Sequence, residues 1–412
     1  MKVKFALYPW GLLALFLLSR LLIWIFRPTG FSEIIYSYMP FAHLWASGVK
    51  PYLEQWYEYP PATIPLFYLP HVIDMAGLHH WWHLSYLQAY RLIMLLIDCS
   101  LFGLIWATLN KQKVKPVLKR DALLFYMVIT AISHHFIYDT MDLAFAAGIM
   151  ISVTAPFFVT QPTQSLIRWL GYFLATALKY INAPLALPFF LAEQRRRISV
   201  ASILMAILAF LIIWGAPLIM FRSSLQVSLV YHQLRGIQVD SAPAILIRTI
   251  DLFTHSEKIV EVYKNYDLQG PVTDAIKPWA NKFFILAITL FIGWSSYRVI
   301  INHLPVAKSF YLVITVGYLL LFLLTGKVLS RPFLIWLMPI LAIYPFSNWR
   351  QQLSWFGTAL LMTITTYARV PNLNIWLLPI PLLVGWIRVI CLCILLRLWG
   401  KIIVPSSRIK VI

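Results

Sequence analysis

The sequence predicts an all-α fold, a polytopic transmembrane helical bundle of about 10–13 spans forming one membrane domain over residues 1–412. Three observations predict it. The 412 residues are 60% hydrophobic and 12% charged, with a mean hydropathy of +0.75, where soluble chains carry about 25% charged residues. Apolar runs long enough to cross a bilayer recur from end to end. The basic residues gather in short clusters at the ends of those runs, as the positive-inside pattern requires.

With the N-terminus cytoplasmic, Ala6–Phe26 is the first span. It follows Lys2 and Lys4 and has no A-x-A-like cleavage site, so it reads as retained rather than as a signal peptide. Residues 27–82 form a first outer loop, whose Pro60–Ile73 portion is too rich in proline for a span and suits the interface. Tyr86–Leu109 returns to a basic loop holding Lys111, Lys113, Lys115, Lys119 and Arg120. Ala122–Phe136 and Leu143–Thr160 follow. Lys179, Asn182 and Pro184 interrupt the next apolar stretch and predict a short hairpin, which keeps Arg195, Arg196 and Arg197 inside. Ser199–Phe221 leads to a second outer loop over residues 222–281. Spans near 283–301, 309–325, 332–346, 352–368 and 373–396 end at a cytoplasmic C-terminus marked by Arg397, Lys401, Arg408 and Lys410.

This topology puts 18 basic and two acidic residues inside, and 12 of the 15 carboxylates outside. It also argues against nucleic acid as the partner of a chain whose net charge is +19, because the cations face the anionic cytoplasmic leaflet. Cys99, Cys391 and Cys393 all lie in apolar runs and suggest neither disulfides nor metal ligands. His79–His80 and His134–His135 lack a carboxylate at ligand spacing. No internal repeat is present.

Three of the rare acids, Glu33, Glu54 and Glu58, fall in the first outer loop among tyrosines, tryptophans and prolines. Ser32 and Glu33 open a predicted interfacial helix over Ser32–Ser47, whose Tyr36, Phe41, Leu44 and Trp45 suit a membrane surface. Gly48 ends it. Glu33 is thereby held near the membrane, beside Arg20 and Arg27.

Glu33, Tyr36, Ala42, Gly48, Pro51, Tyr52, Tyr59, Pro60 and Pro61 together resemble the first outer loop of GT-C membrane glycosyltransferases. The resemblance is greatest to bacterial polyprenyl-phosphate-mannose-dependent enzymes and extends more distantly to the GPI mannosyltransferases. "DTMDLAFAAGIMI", "YHQLRGIQVDSAPAIL" and "GKVLSRPFLIWLMPIL" are similar to later elements of that family, in the family's order. The resemblance implies an inverting hexosyltransferase of a bacterial plasma membrane. It would move a sugar, most often mannose, from a polyprenyl phosphate to a lipid-linked or glycan acceptor on the outer face.

That chemistry needs a base for the acceptor hydroxyl and cations for the departing phosphate. Glu33 is the candidate base, with Glu54 and Glu58 as alternatives. His232, Arg235, Lys327 and Arg331 are candidates for phosphate, with Ser330 between the last two. Asp139 and Asp142 would orient the acceptor or pair with a cation. Arg20 would support the site from the first span, and Trp56 would stack on sugar. Tyr36, Tyr52, Glu58, Tyr59 and Gln238 are further substrate-binding positions that the resemblance implies. Glu33 stands where the family usually has Asp, Asp240 where it has Glu, and "RPF" at Arg331–Phe333 where it has "PQY". Ile35 stands where Asp-x-Asp members have their second acid, so neither a metal nor any other cofactor is expected.

Read without the resemblance, Glu33 is a helix-start residue or a surface ion-pair partner, and the outer cations are headgroup contacts or snorkelling side chains. A secondary transporter or lipid flippase is the rival from another class. It calls for repeats and for ionisable residues near the bilayer midplane, whereas the acids here read as lying at outer span ends.

Overall fold

A computed structural model of the chain describes residues 8–26, 32–74, 85–194, 199–262, 265–301, 307–367 and 379–403. Lys2, Lys4, Arg27, His79, His80, Trp82, Arg195, Arg196, Arg197, Arg408 and Lys410 lie outside the described residues. The chain is mostly helical, at 79%. Among the described residues, four helices are long and apolar enough to cross a membrane: Tyr86–Lys111, Val200–Leu234, Pro271–Ile301 and Pro381–Lys401. At 1.5 Å per residue, the 26-residue Tyr86–Lys111 helix is about 39 Å long, more than the ~30 Å hydrocarbon core. Shorter apolar helices include Trp10–Ile25, Asp142–Phe158 and Phe310–Thr325.

The chain divides into two compact units. The first comprises Met1–Ala183, Arg196–Gln233 and Met338–Ile343, and the second Pro184–Arg195, Leu234–Leu337 and Tyr344–Ile412.

In the first unit, the Tyr8–Ile25 helix packs on Pro116–Ile132, which packs on Tyr86–Lys111. The Tyr86–Lys111 helix starts on a capping box, Ser85 with Gln88, that satisfies two orphan amide donors. Pro116 opens the next helix at a position where its missing N–H costs nothing. That helix begins six residues before the expected Ala122 and stops at Ile132 rather than Phe136; Ser133 then turns its hydroxyl back onto the Ile129 carbonyl. Asp142–Phe158 and Thr163–Leu178 form the tightest helix pair. A Cβ on Gly171 would stand 2.6 Å from the Ser152 nitrogen and 2.7 Å from the Gly148 carbonyl oxygen, so glycine there lets the two backbones touch.

The expected interruption at Lys179 is present. The Thr163–Leu178 helix ends there, with Lys179 in an extended conformation, and Tyr180–Leu185 forms a 3₁₀ turn. In the first outer segment, Ser32 Oγ accepts the Ile34 amide at 3.3 Å and starts a π-helical turn, Ile34–Tyr38, that runs into Met39–Ala46. Gly48, with φ of +96°, closes it. Ile34, Ser37, Tyr38, Phe41 and Ala42 on this helix are buried in the unit, while Tyr36 and Leu44 are exposed. The proline-rich stretch forms an 11-residue helix, Thr63–Ile73, about 16 Å long and too short to cross a bilayer.

Two expectations are corrected beyond Leu234. The segment 222–281 is no loop after Leu234: it holds the Ala242–Thr254 helix and a three-stranded antiparallel sheet before the Pro271–Ile301 helix begins. The fold is therefore not purely α-helical. Strands Ile237–Gln238, Lys258–Val262 and Asn265–Gln269 pair in the order first, third, second, with Ile237 and Ile259 both opposite Leu268. The "KIVEV" stretch is rich in the β-branched residues that strands favour. Its Ile259 packs against the core of Ile237, Val239, Ala244, Ile247 and Leu268. The expected span at 332–346 is a 3₁₀ helix, Arg331–Trp336, followed by the short helix Leu337–Ala342; Pro332 and Pro339 each remove a helical amide donor.

Candidate functional site

Glu33 lies at the start of the π-helical turn, half-buried, and its Oε1 accepts the Tyr59 hydroxyl at 3.3 Å. Tyr59 is fixed edge-on against Tyr38 and Phe67. Burial first, then the charges of Glu33 and Glu58, push its phenol well above the ordinary tyrosine range. Tyr59 therefore stays a neutral donor, suited to orienting a carboxylate without taking its charge. Tyr52 is buried, with φ of +65°, and its hydroxyl donates to the Tyr59 carbonyl. Its ring packs on Tyr57 and Phe221. Tyr52 thus shapes the loop that carries Tyr59, and holding so large a residue in the left-handed region costs about 1–3 kcal/mol. Trp56, 48% exposed, remains accessible for stacking. Glu58 is half-buried, and Glu54 forms an exposed pair with Lys50 at 3.9 Å.

Asp139 and Asp142 enter the same neighbourhood from the turn before the Asp142–Phe158 helix and from its first residue. Arg91 clamps Asp139 with two bonds, at 2.9 and 3.0 Å. Lys179 reaches Asp142 at 2.9 Å. The residue that breaks the Thr163–Leu178 helix is thus the one that neutralises Asp142. Tyr90 has Asp142, Asp139 and Glu33 as electrostatic neighbours, and Tyr38 has Glu33 and Asp142. The fold therefore gathers three carboxylates around two tyrosines. Two of them carry their own cation. Glu33 has a hydrogen bond but, among the described residues, no ion pair.

Arg20 does not stand beside Glu33. It is 3% exposed and pairs with Asp98, which is fully buried, at 2.7 Å and 3.1 Å. Tyr126 and Tyr138 each donate to the same carboxylate at 2.6 Å, and Arg20 also donates to Thr130 at 2.7 Å. Arg20 therefore does not snorkel; it ties its helix to two others. Asp98 is the thirteenth residue of the 26-residue Tyr86–Lys111 helix, so not every acid sits at a span end. His134 and His135 have rings 3.9 Å apart, and no His, Cys, Asp or Glu cluster fit for a metal occurs among the described residues.

The remaining candidates divide between the units. His232, in the first, is exposed on the Gln226–Leu234 helix beside Tyr231. In the second, Lys327 donates to the Arg235 carbonyl at 2.7 Å. Burial, then the charges of Lys277 and Arg235, lower its ammonium below the ordinary lysine range. Gln238 lies in the first strand, its amide nitrogen on Asn265 at 2.9 Å. Ser330 precedes the 3₁₀ helix without capping it, and Arg331 approaches Asp240 at 3.8 Å.

Reading the sequence left Arg91, Asp98 and Arg388 without roles and passed over Tyr38, Tyr90 and Arg248. For the charged residues inside apolar runs the signal existed, since such a group is costly and has a partner or a function. The tyrosines carried none.

No family model, no curated protein and no solved structure matches the chain. Its helices define the class: a multi-pass helical membrane protein.

Proposed function

We propose that the protein is a GT-C-like glycosyltransferase of a bacterial plasma membrane. It transfers a hexose, mannose foremost, from a polyprenyl-phosphate sugar to a lipid-linked or glycan hydroxyl on the outer face. The observation that carries this reading is Glu33: a half-buried carboxylate just after the first apolar helix, oriented by Tyr59 and lacking an ion pair among the described residues. A carboxylate so held accepts the proton of an acceptor hydroxyl as the oxygen attacks the sugar carbon and the phosphate leaves. Attack opposite the leaving group inverts that carbon. His232 is proposed to balance the departing phosphate, and Trp56 to stack on a sugar ring. The sequence resemblance supports this reading as well.

The test is purified protein with a labelled polyprenyl-phosphate hexose and membrane lipid extract. Label should appear on a new product. Glu33→Gln should lower turnover about 10²-fold with donor binding retained, Glu33→Asp should keep partial activity, and Glu54→Gln and Glu58→Gln should be milder. A Glu33→Gln enzyme within a few-fold of wild type beside an inactive Glu58→Gln moves the base to Glu58. No product from any donor removes the reading.

A second reading, a coupled transporter, is favoured by one observation. Asp98 and Arg20 form a buried pair midway along an apolar helix, where ion-coupled carriers place such groups.

A further inference from the structure

Within the first unit, a crevice of about 400 Å³ opens between the Tyr8–Ile25 and Tyr86–Lys111 helices. Trp10 and Leu13 form one wall, and Phe102, Gly103, Trp106 and Ala107 the other, with Asn110 at one end. The two helices run antiparallel, since Phe16 stacks on Phe102 with ring centroids 4.0 Å apart and Arg20 pairs with Asp98. Those contacts close the crevice toward the middle of the Tyr86–Lys111 helix, where Asp98 sits. From Phe102 to Asn110 is eight residues, ~12 Å of helix, which covers most of one leaflet's share of the ~30 Å hydrocarbon core.

Small residues four apart, as at Gly103 and Ala107, commonly let a neighbouring helix approach closely. Among the described residues none does so here: a Cβ on Gly103 would meet nothing within 4 Å. Apart from Asn110 the lining residues are apolar or aromatic. Water entering the crevice would find too few polar partners to be held there. At that depth in a bilayer, the material that fills such a space is a hydrocarbon chain.

The mouth of the crevice, by contrast, is polar and positive. Lys119 donates to Asn110 Oδ1 at 2.8 Å, and its ammonium stands 6.0 Å from the centroid of the Trp106 ring. Lys111, Lys113 and Lys115 are exposed around the turn that follows Asn110. The one acid of that stretch, Asp121, pairs with Arg120 at 2.7 Å. Trp10 is 71% exposed near the start of its helix, as suits a tryptophan at the membrane–water boundary. An apolar slot beneath a cluster of ammonium groups is complementary to a lipid with a negative headgroup.

We propose that the crevice holds one acyl chain of an anionic diacyl phospholipid, whose headgroup rests on Lys119. This lipid fills the wedge between two helices and is not a reactant. The crevice borders the start of the Tyr8–Ile25 helix, whereas Glu33 follows the end of that helix in sequence. The site is read by binding alone and is independent of sugar transfer.

The test is thermal unfolding of the full chain in detergent, with four additions made separately: phosphatidylglycerol, phosphatidylcholine with the same acyl chains, glycerol phosphate and polyprenyl monophosphate. Phosphatidylglycerol should raise the melting temperature more than phosphatidylcholine does, and the chainless glycerol phosphate should not raise it. Gly103→Phe puts a ring into the slot and should weaken the response to phosphatidylglycerol about tenfold or more. Gly293→Phe is the control. It lies on an exposed face of the Pro271–Ile301 helix, where a Cβ also meets nothing within 4 Å, and should leave the response unchanged. Lys119→Gln leaves the slot open and should bring the response to phosphatidylglycerol down to that of phosphatidylcholine. Any response to polyprenyl monophosphate should survive Gly103→Phe. Equal responses of the wild type to the two diacyl lipids, a response to phosphatidylglycerol untouched by Gly103→Phe, or a preference for it that survives Lys119→Gln overturns the proposal. So does a response to polyprenyl monophosphate that Gly103→Phe removes.

Discussion

Glu33, Asp139 and Asp142 were legible in the sequence as scarce acids at the ends of apolar runs; their partners were not. Arg20 and Asp98 are 78 residues apart, and Arg91 and Asp139 are 48 apart. Only the packing of the helices decides which cation serves which carboxylate. This is why Arg20 read as an escort of Glu33, the nearer acid in sequence, and proved to belong to Asp98. The Asp98 site makes a distinct prediction. Breaking one half of a buried pair costs about 3–5 kcal/mol, whereas replacing both partners with apolar residues is often nearly neutral. Arg20→Met and Asp98→Leu should each lower the unfolding temperature of the purified protein strongly. The double variant should recover much of the loss, with Tyr126 and Tyr138 left as unpaired hydroxyls limiting the recovery. Additive losses in the double variant would show that the two side chains do not act as a pair.

At the scale of elements, hydropathy located the long helices well. Tyr86–Lys111 was anticipated nearly end to end, and Lys179, Asn182 and Pro184 marked a true break. The Lys258–Val262 and Asn265–Gln269 hairpin was not anticipated, because five-residue strands in a polar stretch give too short a period to stand out. The 3₁₀ helix at Arg331–Trp336 was read as part of a straight span because its residues are apolar and buried; hydropathy reports burial and not helix type. The glycine contact between Asp142–Phe158 and Thr163–Leu178 predicts a mutational effect. Gly171→Ala places its methyl group 2.6 Å from backbone, so the helices must separate, at about 1–3 kcal/mol. Gly103→Ala, whose Cβ would meet nothing within 4 Å, should be neutral or slightly stabilising. Thermal unfolding of the two variants side by side checks this, and equal melting temperatures would mean that the helix pair is looser than described.

For the whole molecule, the 18-to-two excess of inner basic over acidic residues predicts orientation. Reporter fusions at Lys115, Arg196 and Lys410 should report cytoplasmic, and those at Tyr52 and Asn265 external. An external signal at Arg196 would mean that the chain crosses the membrane once between Thr163 and Gln194, inverting everything after it. Orientation alone does not separate an enzyme from a carrier, since the buried Arg20–Asp98 pair suits either. The decisive measurement reconstitutes the protein in sealed vesicles holding a labelled polyprenyl-phosphate hexose and an acceptor lipid extract, and follows the label with and without EDTA. Label should move covalently to an acceptor lipid, EDTA should leave the transfer intact because Ile35 stands in place of a second acid, and Glu33→Gln should slow it about 10²-fold. Label that crosses the bilayer with its donor unmodified, equally in wild type and Glu33→Gln, would contradict the account and make the protein a carrier.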